Sequence, residues 1–234
     1  MTFSICVRER YENSDGVDHI RFGTGITTRV ANIGMKSPYV TENAAVCAQA
    51  GGIDSSFSIP NIELRKKVAE YVEDGVSIED AIPALLKVDD QKSIRQTHGV
   101  DAEGSFAHTG DEASDWAGHV VGDGFTVAGN VLAGAEVVQS VAEEYREKNS
   151  EDPLPKRLID ALEAGYDAGG DKRTDLPVHS VAIRIRSSER IAPVPFDHDF
   201  RVDATKQPFD DIREVYDLAM DSYKDIGMGH YTDR

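Results

Sequence analysis

Strand-like and helix-like segments follow one another along this chain of 234 residues in blocks rather than in alternation. Three strand patterns precede residue 50, two helical segments follow, and four more strands lie between residues 94 and 130. Two further helices, one strand and a terminal helix from about 210 to 225 complete the order. Such blocks favour separate α and β layers over the βαβ units of a parallel sheet.

We therefore expect an α+β fold, a four-layer α/β/β/α sandwich in which helices cover the outer faces of two stacked antiparallel sheets. This arrangement buries every apolar face. The chain is 40% hydrophobic and shows no internal repeat, so residues 1–234 are predicted to form one domain. A C-terminal linker and helix are expected at about 191–234.

The first strand alternates between two kinds of side chain, which places Phe3, Ile5 and Val7 on one face and Thr2, Ser4 and Cys6 on the other. Hairpin turns are predicted at 15–16, 101–104 and 123–124, where Asp and Gly occur together. A helix is predicted from 60 to 75, and its spacing places Ile62, Val68, Tyr71 and Val72 near the side that faces the core. The next helix begins at Ser77, an N-cap with Asp80 three residues on.

Charge and composition exclude several classes of partner. The net charge is -17, from 42 acidic and 25 basic residues, which argues against binding to a phosphate backbone and favours a salt-adapted cytoplasm. No secretory signal and no apolar run of about 18 residues is visible, so a cytoplasmic protein without a membrane span is predicted. Cys6 and Cys47 lie in apolar segments without a CxxC pair, which predicts buried reduced thiols and no zinc site.

Two glycine-containing segments are candidate ligand contacts. The stretch "GNVLAG" at 129–134 joins a strand to a helix, so its amides and the Asn130 side chain suit an anion or oxyanion; an ordinary tight turn is the alternative. In "GGDKR" at 169–173 the glycines are expected to cap a helix. There Asp171 and Arg173 either pair with each other or orient a ligand.

The histidines give weaker indications. His119 lies in a predicted strand and is a candidate substrate contact, although a histidine in such a position is more often structural or at the surface. In "FDHDF" a strand would separate Asp197 and Asp199 from His198, which makes a metal site there improbable. A metal hydrolase built on these aspartates is the weakest hypothesis.

Several stretches together resemble the uncharacterised family called domain of unknown function 1028, which is similar to the N-terminal-nucleophile (Ntn) hydrolases. They are "MTFSICVRE", "SPYVTENAAVCAQA", "WAGHVVGDGFTVAGNVLAGAEVV", "LEAGYDAGGDKR" and "FRVDATKQPFDDIREVYDLA". The resemblance implies the same α/β/β/α fold. It also implies that Thr2, once Met1 is removed, carries both the nucleophilic hydroxyl and the α-amine that acts as its base.

The resemblance thus implies an amidohydrolase that cleaves a small amide or peptide-like metabolite without a cofactor or metal. Gly129 and Asn130 would hold the oxyanion. Arg29 and Lys36, which follow the second strand, would contact the substrate and keep the amine neutral, or lie solvated at the surface. A homodimer is also expected. The competing hypothesis is a non-catalytic Ntn-fold protein that binds a ligand or supports assembly.

Overall fold

Two antiparallel sheets form the centre of the computed structural model, which describes residues 2–50, 60–147, 152–171, 173, 175, 176, 178–189 and 197–225. The strands are β1 (Thr2–Glu12), β2 (Asp18–Thr28), β3 (Pro38–Val40), β4 (Ala44–Gln49), β5 (Gln96–Asp101), β6 (Ser105–Thr109), β7 (Ala117–Gly122), β8 (Phe125–Asn130), β9 (His179–Ser187) and β10 (His198–Thr205). The helices are α1 (Ile33–Lys36), α2 (Asn61–Glu73), α3 (Ile78–Lys87), α4 (Ala135–Glu147), α5 (Leu154–Asp167) and α6 (Pro208–Asp225), with a 3₁₀ turn at Lys92–Ile94.

The larger sheet has six strands in the order β10-β9-β2-β1-β8-β7, and the smaller has four in the order β3-β4-β5-β6. The first strand therefore lies between β2 and β8, inside the larger sheet. In that ladder Thr2 stands opposite Thr28 on one side and Asn130 on the other. Among the described helices, each is too short or too polar to span a bilayer.

Helices cover the outer face of each sheet, which confirms the predicted four-layer sandwich. Side chains of α4, α5 and α6 form one apolar cluster with the larger sheet, and α2 and α3 form another with the smaller sheet. The alternation of β1 is also confirmed. Phe3, Ile5 and Val7 belong to the cluster beneath the helices, whereas Ser4 and Cys6 contact residues of the opposite sheet.

Most turns and caps follow the sequence prediction. The three hairpins join β1 to β2, β5 to β6 and β7 to β8. The Ser77 hydroxyl accepts a hydrogen bond from the Asp80 amide at the start of α3. Both glycines of "GGDKR" have positive φ directly after α5, and the Gly170 amide donates to Gly165 O, as a helix C-cap requires.

Three local features were not predicted correctly: the strands β3 and β10 and the inward face of α2. Both strands were missed, and each lies at the edge of a sheet. On α2 the prediction was right for Val68 and Val72, which pack against the cluster, but wrong for Ile62 and Tyr71, which are more than a third exposed. Leu64 and Arg65 are buried in their place. The inward face differs from the predicted one because the Arg65 side chain donates hydrogen bonds to three backbone carbonyl groups. A pattern of hydrophobic residues does not indicate such polar contacts. The predicted linker at 191–196 and residues 226–234 lie outside the described residues.

Gly165 allows α5 to lie close to α4 and β1. A Cβ atom there would stand 2.4 Å from Val141 Cγ2, 3.0 Å from Phe3 Cε2 and 3.2 Å from Val137 O. Contacts below 3 Å force the neighbouring atoms to move, and a densely packed interior resists this. The helix layer is thus set at a distance from the sheet that only a glycine permits.

We predict that Gly165→Ala lowers the free energy of unfolding by about 1–3 kcal/mol. The sign is the test, because the same change within an ordinary helix raises stability by about 1 kcal/mol. Urea unfolding measures it. The cost should be smaller in a Val141→Ala background, which removes the nearest contact, and an equal cost in both backgrounds would contradict the packing explanation.

Candidate functional site

A pocket of about 230 Å³ opens where β1 begins. Its lining comes from the ends of both sheets and from α1 and α2: Thr2, Thr28, Val30, Ile33, Lys36, Ser37, Ala48, Gln49, Ala50 and Asn61. The exposed walls are mainly apolar, with a few polar groups among them, which is typical of a site for a small organic ligand.

Thr2 is the polar residue with which the chain enters the sheet. Its side chain is partly exposed, and Oγ1 donates to Oγ1 of Thr28 over 3.2 Å. Because β1 is paired on both sides, the position of this hydroxyl is fixed by two neighbouring strands. A hydroxyl fixed at the mouth of a pocket has the placement that a nucleophile needs.

Lys36 lines the same pocket from the end of α1. Its Nζ donates to Ala31 O over 2.8 Å, so the ammonium group is held at the pocket wall rather than extended into solvent. The next residue, Ser37, is also fixed, since its hydroxyl donates to Ala48 O over 3.0 Å. Among the described lining residues, the pocket thus combines the cation of Lys36 with the hydroxyl of Thr2.

Two buried glutamines connect the pocket to the strand ends. Gln49 Nε2 donates to Gln96 Oε1 (3.0 Å) and to Ala128 O (2.9 Å), which ties the smaller sheet to the larger one. Asn130 Nδ2 donates to the same Gln96 oxygen over 3.0 Å. That bond uses one of the two N–H groups on the Asn130 amide.

The hydrogen-bonded chain continues deeper between the sheets. Ser4 Oγ donates to Gln49 Oε1 (3.1 Å) and lies 2.7 Å from His98 Nε2, while His98 Nδ1 lies 2.8 Å from Thr126 Oγ1. All of these side chains are buried. A polar network of this kind, with each member partnered, fixes how the two sheets stack.

Ala50 lines the pocket with a left-handed backbone, φ 62°, a conformation that costs a non-glycine residue roughly 1 kcal/mol or more. Asn61 Nδ2 donates to Ala50 O over 2.7 Å, and Asn61 Oδ1 accepts from Arg95 over 2.8 Å. Arg95 is fully buried and pairs with Asp89 over 2.7 Å. A buried ion pair thereby holds the strained wall of the pocket.

The candidate anion site at 129–134 differs from the expected arrangement. Gly129 and Asn130 lie within β8, paired with β1 and β7, and not in the turn. Beyond the strand, the Leu132 amide donates to Trp116 O and the Ala133 amide to Gly170 O. The Asn130 side chain, opposite Thr2 in the β1–β8 ladder, is therefore the donor of this segment that lies beside Thr2.

Asp171 and Arg173 pair with each other over 3.1 Å, and Arg29 Nε lies 4.0 Å from Asp171. Arg29 also donates to Leu176 O. Burial and the Arg29 charge lower the pKa of nearby His179, although Asp171 opposes the shift. Arg29 directly follows β2, and Asp171 forms an isolated bridge with Leu132 just beyond β8, but the members of this ion cluster are not among the described residues that line the pocket.

His119 also lies outside the pocket lining. It is exposed on β7, where Nδ1 lies 2.9 Å from Thr109 Oγ1, and burial of the ring together with His98 and His108 lowers its pKa. Within "FDHDF" the alternation holds, since His198 is buried and Asp199 pairs with Arg184 and Arg201. The Asp199 carboxylate is thus engaged in ion pairs.

Sequence reasoning missed the residues that shape the pocket from the smaller sheet and α2. Gln49, Gln96, Asn61 and Arg95 are polar side chains in otherwise apolar or helical segments. Gln49 and Gln96 fall on the same strand face as the cysteine and histidine that lie two residues away, so the period of two could have placed them between the sheets. No local pattern links Asn61 with Arg95.

The sequence model of a family of unknown function, DUF1028, matches residues 2–212. The chain belongs to this family. Its match covers both sheets, all the pocket residues and the ion cluster. The resemblance noted in the sequence is therefore confirmed at the level of the family.

Fold comparison agrees with the family assignment. The DUF1028 chain is similar to the crystal structure of protein SPO2555 from Silicibacter pomeroyi, itself a DUF1028 protein. The TM-score is 0.72 at 22% identity, and the alignment covers 94% of this chain and 86% of that one. At this identity the likeness shows a shared fold. Comparison with curated proteins gives no significant match.

We predict that Asp89→Ala lowers the free energy of unfolding by about 3–5 kcal/mol, because it leaves the fully buried Arg95 guanidinium without its carboxylate partner. Chemical unfolding followed by circular dichroism measures the loss. The double variant Asp89→Ala/Arg95→Met removes both charges and should recover a large part of it. If the double variant is as unstable as the sum of both single variants, the ion pair is not what holds this region.

Proposed function

We propose that this DUF1028 protein is an Ntn-type amidohydrolase that uses Thr2, exposed by removal of Met1, to cleave a small amide or peptide-like metabolite. The observation that carries the proposal is the position of Thr2. It begins a strand paired on both sides, its hydroxyl lies at the mouth of a pocket, and a lysine and an asparagine flank it.

The chemistry needs a terminal residue because only a terminal residue has a free α-amine. Such an amine has a pKa of roughly 8, so a useful fraction is neutral near pH 7 and accepts the hydroxyl proton. The Thr28 hydroxyl, 3.2 Å away, helps to orient Thr2 Oγ1. An internal threonine would have only a peptide nitrogen at this place.

The proposed reaction is acyl transfer followed by hydrolysis. Thr2 Oγ1 attacks the amide carbonyl, its proton passes to the α-amine, and the amine then protonates the leaving nitrogen as the C–N bond breaks. Water, activated by the same amine, attacks the resulting ester and restores the hydroxyl. The second N–H of the Asn130 amide would stabilise the oxyanion, and losing a donor of this kind typically lowers kcat by about 10²-fold or more.

Substrate size follows from the pocket. A cavity of about 230 Å³ with mainly apolar walls suits a short acyl group rather than a folded protein chain. Lys36 would keep the amine neutral through its positive charge and would attract a negatively charged group on the substrate.

We predict that Thr2→Ala lowers amide hydrolysis by about 10³-fold or more, whereas Thr2→Ser keeps measurable turnover. Activity against a panel of small amides, combined with intact-mass measurement, checks both claims. Thr27→Ala is the matched control, because its hydroxyl faces away from the pocket and donates to Ser180 O. Full turnover by protein that retains Met1 would contradict the proposal. Absence of turnover, with ligand binding unaffected by Thr2→Ala, would favour the non-catalytic alternative.

Removal of the positive charge at Lys36 should change the pH profile. Without the nearby cation the pKa of the α-amine rises, so the ascending limb of kcat/KM is expected to move up by about 1 pH unit in Lys36→Met. Lys36→Arg should keep the wild-type profile. Lys87→Met, a change at the exposed end of α3, serves as the control for net charge. An unshifted limb in Lys36→Met would show that this lysine does not act on the base.

A further inference from the structure

Three side chains with metal-binding atoms meet between the two sheets, deeper than the pocket. They are Cys6 of β1, Cys47 of β4 and His98 of β5, and one ligand atom from each lies within 4.8 Å of the other two. Cys47 and His98 stand opposite each other in the β4–β5 ladder, and Cys6 faces them from the larger sheet. The cluster thus joins three strands from both sheets.

The spacing is close to that of a zinc site. With Zn–S bonds of about 2.3 Å and a Zn–N bond of about 2.0 Å, tetrahedral ligand atoms stand roughly 3.5–3.8 Å apart. Since the three atoms lie within 4.8 Å of one another, they need to approach by about 1.3 Å at most. Side-chain rotation of this size requires no change in strand pairing, since each ligand comes from the middle of a paired strand.

Charge selects the ion. Cys6, Cys47 and His98 are all completely buried, and a net charge in such a place is expensive. Two thiolates and a neutral imidazole balance one divalent cation, whereas a monovalent ion would leave one negative charge buried. Thiolate and imidazole are also the ligands that Zn²⁺ prefers over carboxylate-binding ions such as Mg²⁺.

His98 would exchange one of its two hydroxyl contacts for the ion. One ring nitrogen lies 2.7 Å from Ser4 Oγ and the other 2.8 Å from Thr126 Oγ1. When either nitrogen binds the ion, the other keeps its hydroxyl partner, which fixes the tautomer and the ring plane.

We propose that Cys6, Cys47 and His98 bind one Zn²⁺ ion, which joins the two sheets as a structural site. The ion displaces two thiol protons as it binds, so the thiols become thiolates and no oxidant or reductant takes part. Because the cluster is completely buried, the ion enters as the chain folds. The site is separate from the hydrolysis proposed for Thr2, and neither depends on the other.

The test is refolding of the whole chain. Protein unfolded in denaturant with a reductant and a chelator is exchanged into metal-free buffer and refolded with one equivalent of Zn²⁺, Co²⁺ or no metal. We expect one ion per chain after gel filtration and a higher Tm with Zn²⁺. With Co²⁺ we expect thiolate-to-cobalt charge-transfer absorption and the visible bands of a tetrahedral ion.

Variants identify the ligands. Cys47→Ser and Cys6→Ser should each abolish the charge-transfer absorption and the gain in Tm. Thr97→Val, a buried change on the opposite face of β5, should keep both. Wild-type protein that regains its native near-ultraviolet circular dichroism yet binds no Zn²⁺ or Co²⁺ would overturn the proposal, whatever the variants do.

Discussion

The hydrogen-bonded layer between the sheets is the constraint on which the rest of the structure depends. Apolar side chains alone leave two stacked sheets free to slide, because hydrophobic contact has no direction. Here Ser4 of the larger sheet bonds to Gln49 and His98 of the smaller one, and Gln49 bonds in turn to a backbone carbonyl group of β8. A shift by one residue would bury these polar groups without partners, which costs roughly 1–3 kcal/mol for each. Stacking is therefore specific.

That specificity positions the pocket. Its walls come from the ends of β1, β2 and β4 together with α1 and α2, so its shape depends on how the end of one sheet lies over the end of the other. Gln49 belongs both to the lining and to the buried network. On the α2 side of the pocket, the Asn61 side chain accepts a hydrogen bond from Arg95 and donates one to Ala50 O. These bonds support the left-handed backbone of Ala50, which lines the same pocket as Thr2. Strain held by buried partners is common at functional sites.

The sequence predicted those features that are encoded locally. Asp-Gly turns, the Ser77 cap and the alternation of β1 are determined by neighbouring residues, and each is present in the structure. The failures have a tertiary origin. The strand β10 has an exposed, charged edge that conceals its pairing with β9, and the face of α2 is chosen by the bonds of Arg65 to distant carbonyl groups. Family resemblance, and not spacing, gave Thr2 its proposed role. No spacing rule could bring together two cysteines and a histidine that are far apart in the chain.

The inner face of β1 carries Thr2, Ser4 and Cys6 at alternate positions, from the pocket to the deep cluster. Thr2 opens on the pocket, Ser4 bonds to the glutamine of the pocket wall and to His98, and Cys6 lies in the cluster with His98. An ion bound at the deep end would restrict His98, and through Ser4 it would restrict Gln49. Neighbouring side chains on this face are two residues, roughly 6.6 Å, apart along the strand. Such a link would therefore stabilise the pocket wall from a distance, without contact between the ion and a ligand. A central strand that is paired on both sides is the element of this fold able to transmit that restraint with the least movement.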